Sequence, residues 1–65
     1  MTMANLVADS KGFEFDPDAC AHVFGLDSNG RIVTDTATSG SRTWVQTFTR
    51  DSSGNIIGVS PWVAQ

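Results

Sequence analysis

Cysteine and basic residues are scarce in this sequence, and each scarcity excludes a class of protein. Cys20 is the only cysteine, so a disulfide within the chain is excluded, and a lone thiol is compatible with a reducing compartment. One cysteine and one histidine cannot supply the four ligands of a structural zinc site. Four scattered bases in a chain of net charge −3 argue against nucleic acid as the main partner, because phosphate backbones bind clustered Lys and Arg.

Long apolar runs and glycine-rich loops are also missing. No stretch approaches the roughly 20 apolar residues of a membrane helix, and residues 1–12 lack the basic start and apolar stretch of a signal peptide. We therefore expect no membrane partner and a chain that stays in the cytoplasm or is assembled there into something larger. The glycines form neither a GxGxxG nor a Walker pattern, and no nucleophile–base–orienter set is present, so we expect neither an enzyme nor a cofactor.

The length of the chain limits how much core it can form. Its 65 residues make one domain, and a domain of this size buries only about 60% of the surface that its unfolded chain exposes. Natural proteins this small usually add disulfides, a metal or a partner chain. Because the first is excluded and the second lacks ligands, we expect the chain to associate with itself or with other structural protein chains.

An internal repeat organises the residues that are present. Residues 24–32 and 48–56 share the pattern F-x-x-D-S-x-G-x-I at an offset of 24 residues. The Asp of each copy can accept a hydrogen bond from the backbone two residues on, and the Gly suits a left-handed conformation after a type I turn. Each copy therefore predicts a β-hairpin tip. The turn-defining residues are Asp27, Gly30, Gly40, Asp51 and Gly54, where Gly40 belongs to a third turn signal, Ser39-Gly40-Ser41.

The segments between these turns are rich in Thr, Val, Ile, Phe and Trp, which favour strands. The predicted fold class is mainly β: a small antiparallel β-meander of about four strands, with an irregular or briefly helical N-terminal segment. Residues 1–12 are expected to be an arm that is flexible or ordered by a partner, and residues 13–65 a single β domain. The predicted strands are His22–Leu26, Arg31–Thr38, Arg42–Arg50 and Asn55–Ser60.

The third predicted strand alternates most clearly between its two faces. Trp44, Gln46 and Phe48 point one way, toward the expected core, which Phe24 is expected to share. The opposite face carries Thr43, Val45, Thr47 and Thr49, which can meet water or another sheet.

The ends of the β domain carry weaker signals. Phe13-Glu14-Phe15 alternates like a short strand, and Asp16-Pro17 is typical of a helix start, although a turn without a helix fits equally well. Pro61 is expected to end the last strand, because it has no amide hydrogen for a ladder. Trp62 and Val63 then fold over the sheet or reach into a neighbouring chain.

Chemical roles for Cys20, His22 and the acids were weighed against structural ones. Cys20 and His22 point the same way on a strand, as a nucleophile with its base or two metal ligands would, but the further ligands and an oxyanion site are missing. We interpret them as a small buried thiol beside a half-exposed imidazole. The acids at the turns lack the ligand run of an EF-hand, and we interpret them as turn caps.

The two tryptophans are the strongest candidates for contacts with other molecules. Trp44 lies mid-strand on the apolar face and is expected to pack in the core, whereas Trp62 fits a core or an interface equally well. The interface candidates are Trp44, Trp62, Val63, Thr43, Thr47, Thr49, Arg42 and Arg50.

The repeat resembles the YD-repeat idiom of large β-rich secreted and toxin-shell proteins. Residues 50–56 match its D-x-x-G-N-aliphatic part, whereas Leu26 and Arg50 stand where the Tyr would be, and this chain has two copies where those proteins need many. The C-terminal half, from Gly30 through residues 43–49 to Val63, is similar in style to small structural proteins of tailed bacteriophages. That resemblance implies a symmetric tail, neck, fibre or capsid decoration, and no catalytic residues.

Together these observations predict a non-catalytic structural or interaction protein, a subunit of a phage virion assembly. It would be located in the virion if it derives from a phage, and otherwise in the cytoplasm. Two alternatives stay open. One is a small carbohydrate-binding module that stacks a glycan on an exposed tryptophan, and the other is a regulatory protein that caps the sheet edge of a partner.

Overall fold

The computed structural model describes residues 6–65. The fold is mainly β, with 55% of residues in strands and 5% helical, in antiparallel sheets of two and five strands, which confirms the predicted fold class. The strands are β1 (Val7–Ala8), β2 (Glu14–Phe15), β3 (Ala21–Leu26), β4 (Ile32–Ser39), β5 (Arg42–Arg50), β6 (Ile56–Val59) and β7 (Val63–Ala64), with a 3-10 helix at Pro17–Ala19.

Strands β3 to β6 form the predicted meander, in the spatial order β3-β4-β5-β6. Strands β6 and β7 pair with the same side of β5. β6 pairs with its C-terminal end, and β7 pairs nearer its N-terminal end, with Val63 opposite Val45. The chain leaves the ladder between β6 and β7 at Pro61, as its missing amide hydrogen requires. Val63 therefore extends the sheet edge rather than folding over the sheet.

The β1–β2 hairpin packs on one face of the main sheet and forms the core there. The ring of Phe15 stacks on the indole of Trp44 with centroids 4.0 Å apart and planes 3° from parallel, and Trp62 meets Phe15 edge-on at 5.6 Å. Phe15, Ala37 and Trp44 are 7%, 0% and 3% exposed. Val7, Cys20, Trp62 and Ala64 are partly buried around them.

This core occupies one end of the sheet. We call the end next to the β4–β5 turn the closed end, and the end that carries the repeat turns at Asp27 and Asp51 the open end. Phe24, expected in the core, is 52% exposed, so that expectation is wrong. Phe15 lies over the row of paired residues that contains Trp44, whereas Phe24 lies in the next row toward the open end. At the open end Leu26, Ile56, Ile57 and Val59 also expose half or more of their surface.

The N-terminal segment is more regular than its sequence indicates. Residues 6–12 of the expected arm form β1 and the turn that follows it, while residues 1–5 lie outside the described residues. Asp16 caps the 3-10 helix by accepting the amide of Asp18 at 3.0 Å, with Pro17 at the first helical position. This helix has three residues, so it serves as a corner between β2 and β3.

Candidate interaction surfaces

The two repeat turns have the same hydrogen-bond pattern. Asp27 accepts through Oδ1 from the amides two and four residues on, at 2.8 and 3.0 Å, and Asp51 does the same at 2.9 Å in both cases. Gly30 and Gly54 close these turns at φ +78° and +89°, a conformation that a side chain would strain. The amide four residues on is the largest cause of the lowered pKa of each Asp, so both side chains act as anionic caps.

A third D-S-x-G turn begins at Asp9, and the F-x-x-D-S-x-G-x-I pattern does not include it. Asp9 Oδ1 accepts from the amides of Lys11 and Phe13 at 2.8 and 3.0 Å, and Gly12 has φ +84°. Here the turn faces the core, because Asp9 Oδ2 accepts a 2.7 Å hydrogen bond from Trp44 Nε1. The four letters D-S-x-G alone would have found this turn in the sequence.

Asp9 is the buried charged side chain among the described residues, with 8% of its surface exposed. Burial raises the pKa of this carboxyl, but hydrogen bonds from the Trp44 indole and from the two turn amides outweigh that effect and lower the pKa overall. Asp9 is thus a structural anion that orients Trp44 and accepts three hydrogen bonds from protein donors.

His22 links three elements at the closed end. Its Nδ1 lies 2.7 Å from Asp35 Oδ1 on β4, and its Nε2 lies 2.6 Å from the carbonyl oxygen of Pro17 in the 3-10 helix. The carbonyl oxygen and an ionised Asp35 carboxylate both accept, so this geometry favours the imidazolium form, in which both ring nitrogens donate. The hydrogen bond to Asp35 is the largest cause of the raised pKa of His22, followed by that to Pro17.

Cys20 and His22 do not form a catalytic pair in this arrangement. The Cys20 thiol donates to the carbonyl of Asp16 at 3.4 Å, and both nitrogens of His22 are engaged elsewhere. Burial, aided by the charge of Asp16, raises the pKa of the thiol, which makes it a poor nucleophile.

The sheet face opposite the β1–β2 hairpin carries four of the interface candidates. Thr43, Thr47 and Thr49 of β5 share this face, and Val63 joins them opposite Val45. We call it the bare face, because the β1–β2 hairpin packs on the other side. Its positions are uncharged: Ala21, Val23, Gly25, Thr34, Thr36, Thr38, Thr43, Val45, Thr47, Thr49, Gly58 and Val63.

The other candidates are distributed over both ends. Trp44 is buried with one ring face stacked on Phe15, and Trp62 is half-buried with an edge-on contact to the same ring. Arg50 joins the two repeats at the open end, where Nε donates to Ile32 O at 2.9 Å and Nη1 to Gly54 O at 2.8 Å.

At the closed end, the guanidinium of Arg42 lies 5.3 Å from the centre of the Phe13 ring, a cation–π distance. The two residues border a shallow cavity of about 220 Å³ together with Asp9, Lys11, Thr43 and Trp44. The Asp9 carboxylate in this cavity already accepts three hydrogen bonds from protein donors, which stabilise its anionic form.

Comparison with protein-family models, with curated proteins and with solved structures finds no match for this chain. Among residues 6–65, no cluster of three or more His, Cys, Asp or Glu side chains is arranged to hold a metal ion. No helix in the same residues is long and apolar enough to cross a membrane.

Proposed function

We propose that this chain is a non-catalytic structural protein that works as one subunit of a symmetric oligomer. The observation that carries the proposal is the imbalance between core and exposed apolar surface. Three apolar residues form the buried core, whereas nine large apolar side chains among the described residues are exposed. A folded domain normally packs one face of its sheet against a second layer, and here the second layer lies over only the closed end of that face.

The exposed apolar residues at the open end support this proposal further. The exposed Phe24 and Val59 lie on the sheet face that the hairpin leaves uncovered there, with the half-buried Phe48 paired to Val59. Exposed apolar side chains grouped at one end of a sheet are typical of a protein contact surface. The absence of a nucleophile–base pair at Cys20 and His22 fits a binding role.

The finer part of the proposal is a virion subunit of a tailed phage, which rests on the resemblance of the C-terminal half to such proteins. An antibody against the chain is then expected to label purified phage particles. A particle preparation without the chain would contradict the virion assignment and leave the oligomer untouched.

The buried position of Trp44 does not favour this residue as the platform of the sugar-binding alternative. A stacking platform needs an open ring face, and Trp44 is covered by Phe15. The capping of a partner's sheet edge is compatible with the open edge of β3.

Light scattering coupled to size exclusion, over a dilution series, tests the proposal. We expect a discrete multimer at micromolar concentration that dissociates on dilution, with urea stability that rises with protein concentration. A folded monomer of unchanged stability across the whole series would contradict it.

A further inference from the structure

The two edges of the main sheet differ in how open they are to another strand. On the β5 side the edge is divided into β6 and β7, and Pro61 interrupts the ladder between them. The other edge is β3, Ala21–Leu26, whose pairing with β4 is regular from Ala21 to Gly25 and shifts its register before Leu26. Natural proteins protect such edges with Lys, Pro, bulges or very short strands, and residues 21–25 have none of these.

The register shows which backbone groups of β3 are available. The two-residue turn pairs Ser39 with Arg42, so the odd-numbered residues of β4 bond to β5 and its even-numbered residues bond to β3. Thr43 O and Thr47 O accept from the outer side of β5, as this alternation requires. Val23, opposite Thr36, therefore bonds inward.

His22 and Phe24 consequently direct their amide and carbonyl groups away from the sheet. Among residues 6–65 no hydrogen bond reaches these four backbone groups. The side chains beside them are exposed on both faces, with Val23 at 70% and Phe24 at 52%. A strand added here would bury both side chains and pair all four groups.

We propose that a second copy of this chain pairs antiparallel with β3 around a two-fold axis at Val23. This inference rests on the proposed self-association and names its contact. His22 then pairs with Phe24 of the partner subunit, and Phe24 pairs with His22 of the partner subunit. All four outward groups of each copy are satisfied, and the small residues Ala21 and Gly25 lie opposite each other.

The neighbouring registers are less favourable. An axis at His22 sets two imidazolium rings opposite each other, which like charges disfavour. An axis at Phe24 requires Leu26 as the partner of His22, and the ladder shifts its register between Gly25 and Leu26. The axis at Val23 keeps the pairing within Ala21–Gly25, ahead of that shift.

A pair of this kind closes on itself, because the opposite edge is interrupted at Pro61. It joins the two five-stranded sheets into one ten-stranded sheet and continues the bare face across the axis, where Val23 packs on Val23 of the partner subunit. The face is uncharged, so the isologous contact brings no like charges together. The β3 pairing predicts a dimer rather than an open filament.

A matched pair of charge variants tests the contact. Val23→Lys places two like charges across the axis, and we expect it to raise the dimer dissociation constant by about tenfold or more. Ile57→Lys, at an open-end residue of similar exposure (65%) outside β3, tests the open-end surface as the contact instead, and we expect it to leave the constant nearly unchanged. Both side chains are exposed, so both variants should fold, which circular dichroism checks.

Cysteine cross-linking in a Cys20→Ala background tests the register. Val23→Cys should form a disulfide between two copies, because Cα atoms of a directly opposed non-hydrogen-bonded pair lie about 4.5 Å apart. Phe24→Cys should not, because its two copies would lie about 8 Å apart across the strands. Cross-linking of Phe24→Cys in place of Val23→Cys would overturn the register.

The outcomes separate this inference from the proposed function. A multimer that survives Val23→Lys and is lost in Ile57→Lys would overturn the β3 contact and leave self-association standing. A folded wild-type monomer at every concentration would overturn both. Concentration-dependent protection of the His22 and Phe24 amides from hydrogen exchange, with constant protection at Val23, would support the contact.

Discussion

The closed and open ends of the sheet belong to one meander but are stabilised by different interactions. At the closed end Phe15 stacks on Trp44, and Asp9 accepts a hydrogen bond from the same indole. At the open end the apolar side chains are exposed, and the two repeat turns are held by their Asp caps and by Arg50. Strand pairing alone is therefore enough to form the sheet, whereas a buried core requires a second layer.

The largest expected difference between the ends is in the effect of removing a phenylalanine. Phe15→Ala should cost about 3–5 kcal/mol of unfolding free energy, because it opens a cavity against Trp44. Phe24→Ala should change it by about 0.5 kcal/mol or less in the monomer, because this side chain is half exposed. Urea titration at a concentration below that of self-association measures both. Equal losses would break the distinction between the two ends.

The turn aspartates of the two ends should also differ in how much they stabilise the fold. Asp9→Asn should destabilise the fold more than Asp51→Asn, because Asp9 is buried and also accepts from Trp44 Nε1. Tryptophan fluorescence of Asp9→Asn should shift as the indole loses its anionic acceptor, and Asp51→Asn should leave the spectrum unchanged. Equal stability losses and unchanged spectra in both variants would show that the turn contacts alone matter.

The two ends were predictable from the sequence to different extents. The meander and the turns at Asp27 and Asp51 follow from local signals, since D-S-x-G codes its own hydrogen bonds. Alternation correctly assigns Trp44 to the inner face, but it does not show how far a covering layer reaches. Phe24 has the alternation of a core residue. It is nevertheless exposed, because β2 has only two residues and the β1–β2 hairpin covers the sheet no farther than Phe15.

The short strands were the least predictable elements. β1 and β7 have two residues each, so no periodicity can mark them, and their positions depend on tertiary contacts. The turn at Asp9 carried a readable signal, and its inward role depends on Trp44, 35 residues farther along the chain.

Arginine substitutions test whether polar contacts stabilise the open end. Arg50→Lys should cost about 1 kcal/mol, because lysine cannot donate to Ile32 O and Gly54 O in the same planar geometry. Arg42→Lys at the closed end, where a cation–π contact with Phe13 persists in lysine, should cost less than about 0.5 kcal/mol. Thermal unfolding measures both. A smaller loss of stability for Arg50→Lys than for Arg42→Lys would mean that the open end does not depend on the hydrogen bonds of Arg50.

The smallest expected effect is a pH dependence confined to the closed end. The pKa of folded His22 lies above the ordinary value of 6.5, chiefly because of Asp35, with Pro17 O and the charge of Asp18 acting in the same direction. A histidine whose folded pKa is raised contributes its full stabilisation below the unfolded pKa and loses it as pH rises through the folded pKa.

Stability should therefore fall as the pH rises from about 6.5 through the folded pKa of His22. His22→Gln should flatten that dependence, and Asp35→Asn should reduce it while keeping the ring in place. Urea midpoints at acidic and alkaline pH measure the change, and the NMR titration of the imidazole gives the folded pKa directly. If the pH dependence of stability survives in His22→Gln, it belongs to another titratable group and not to His22.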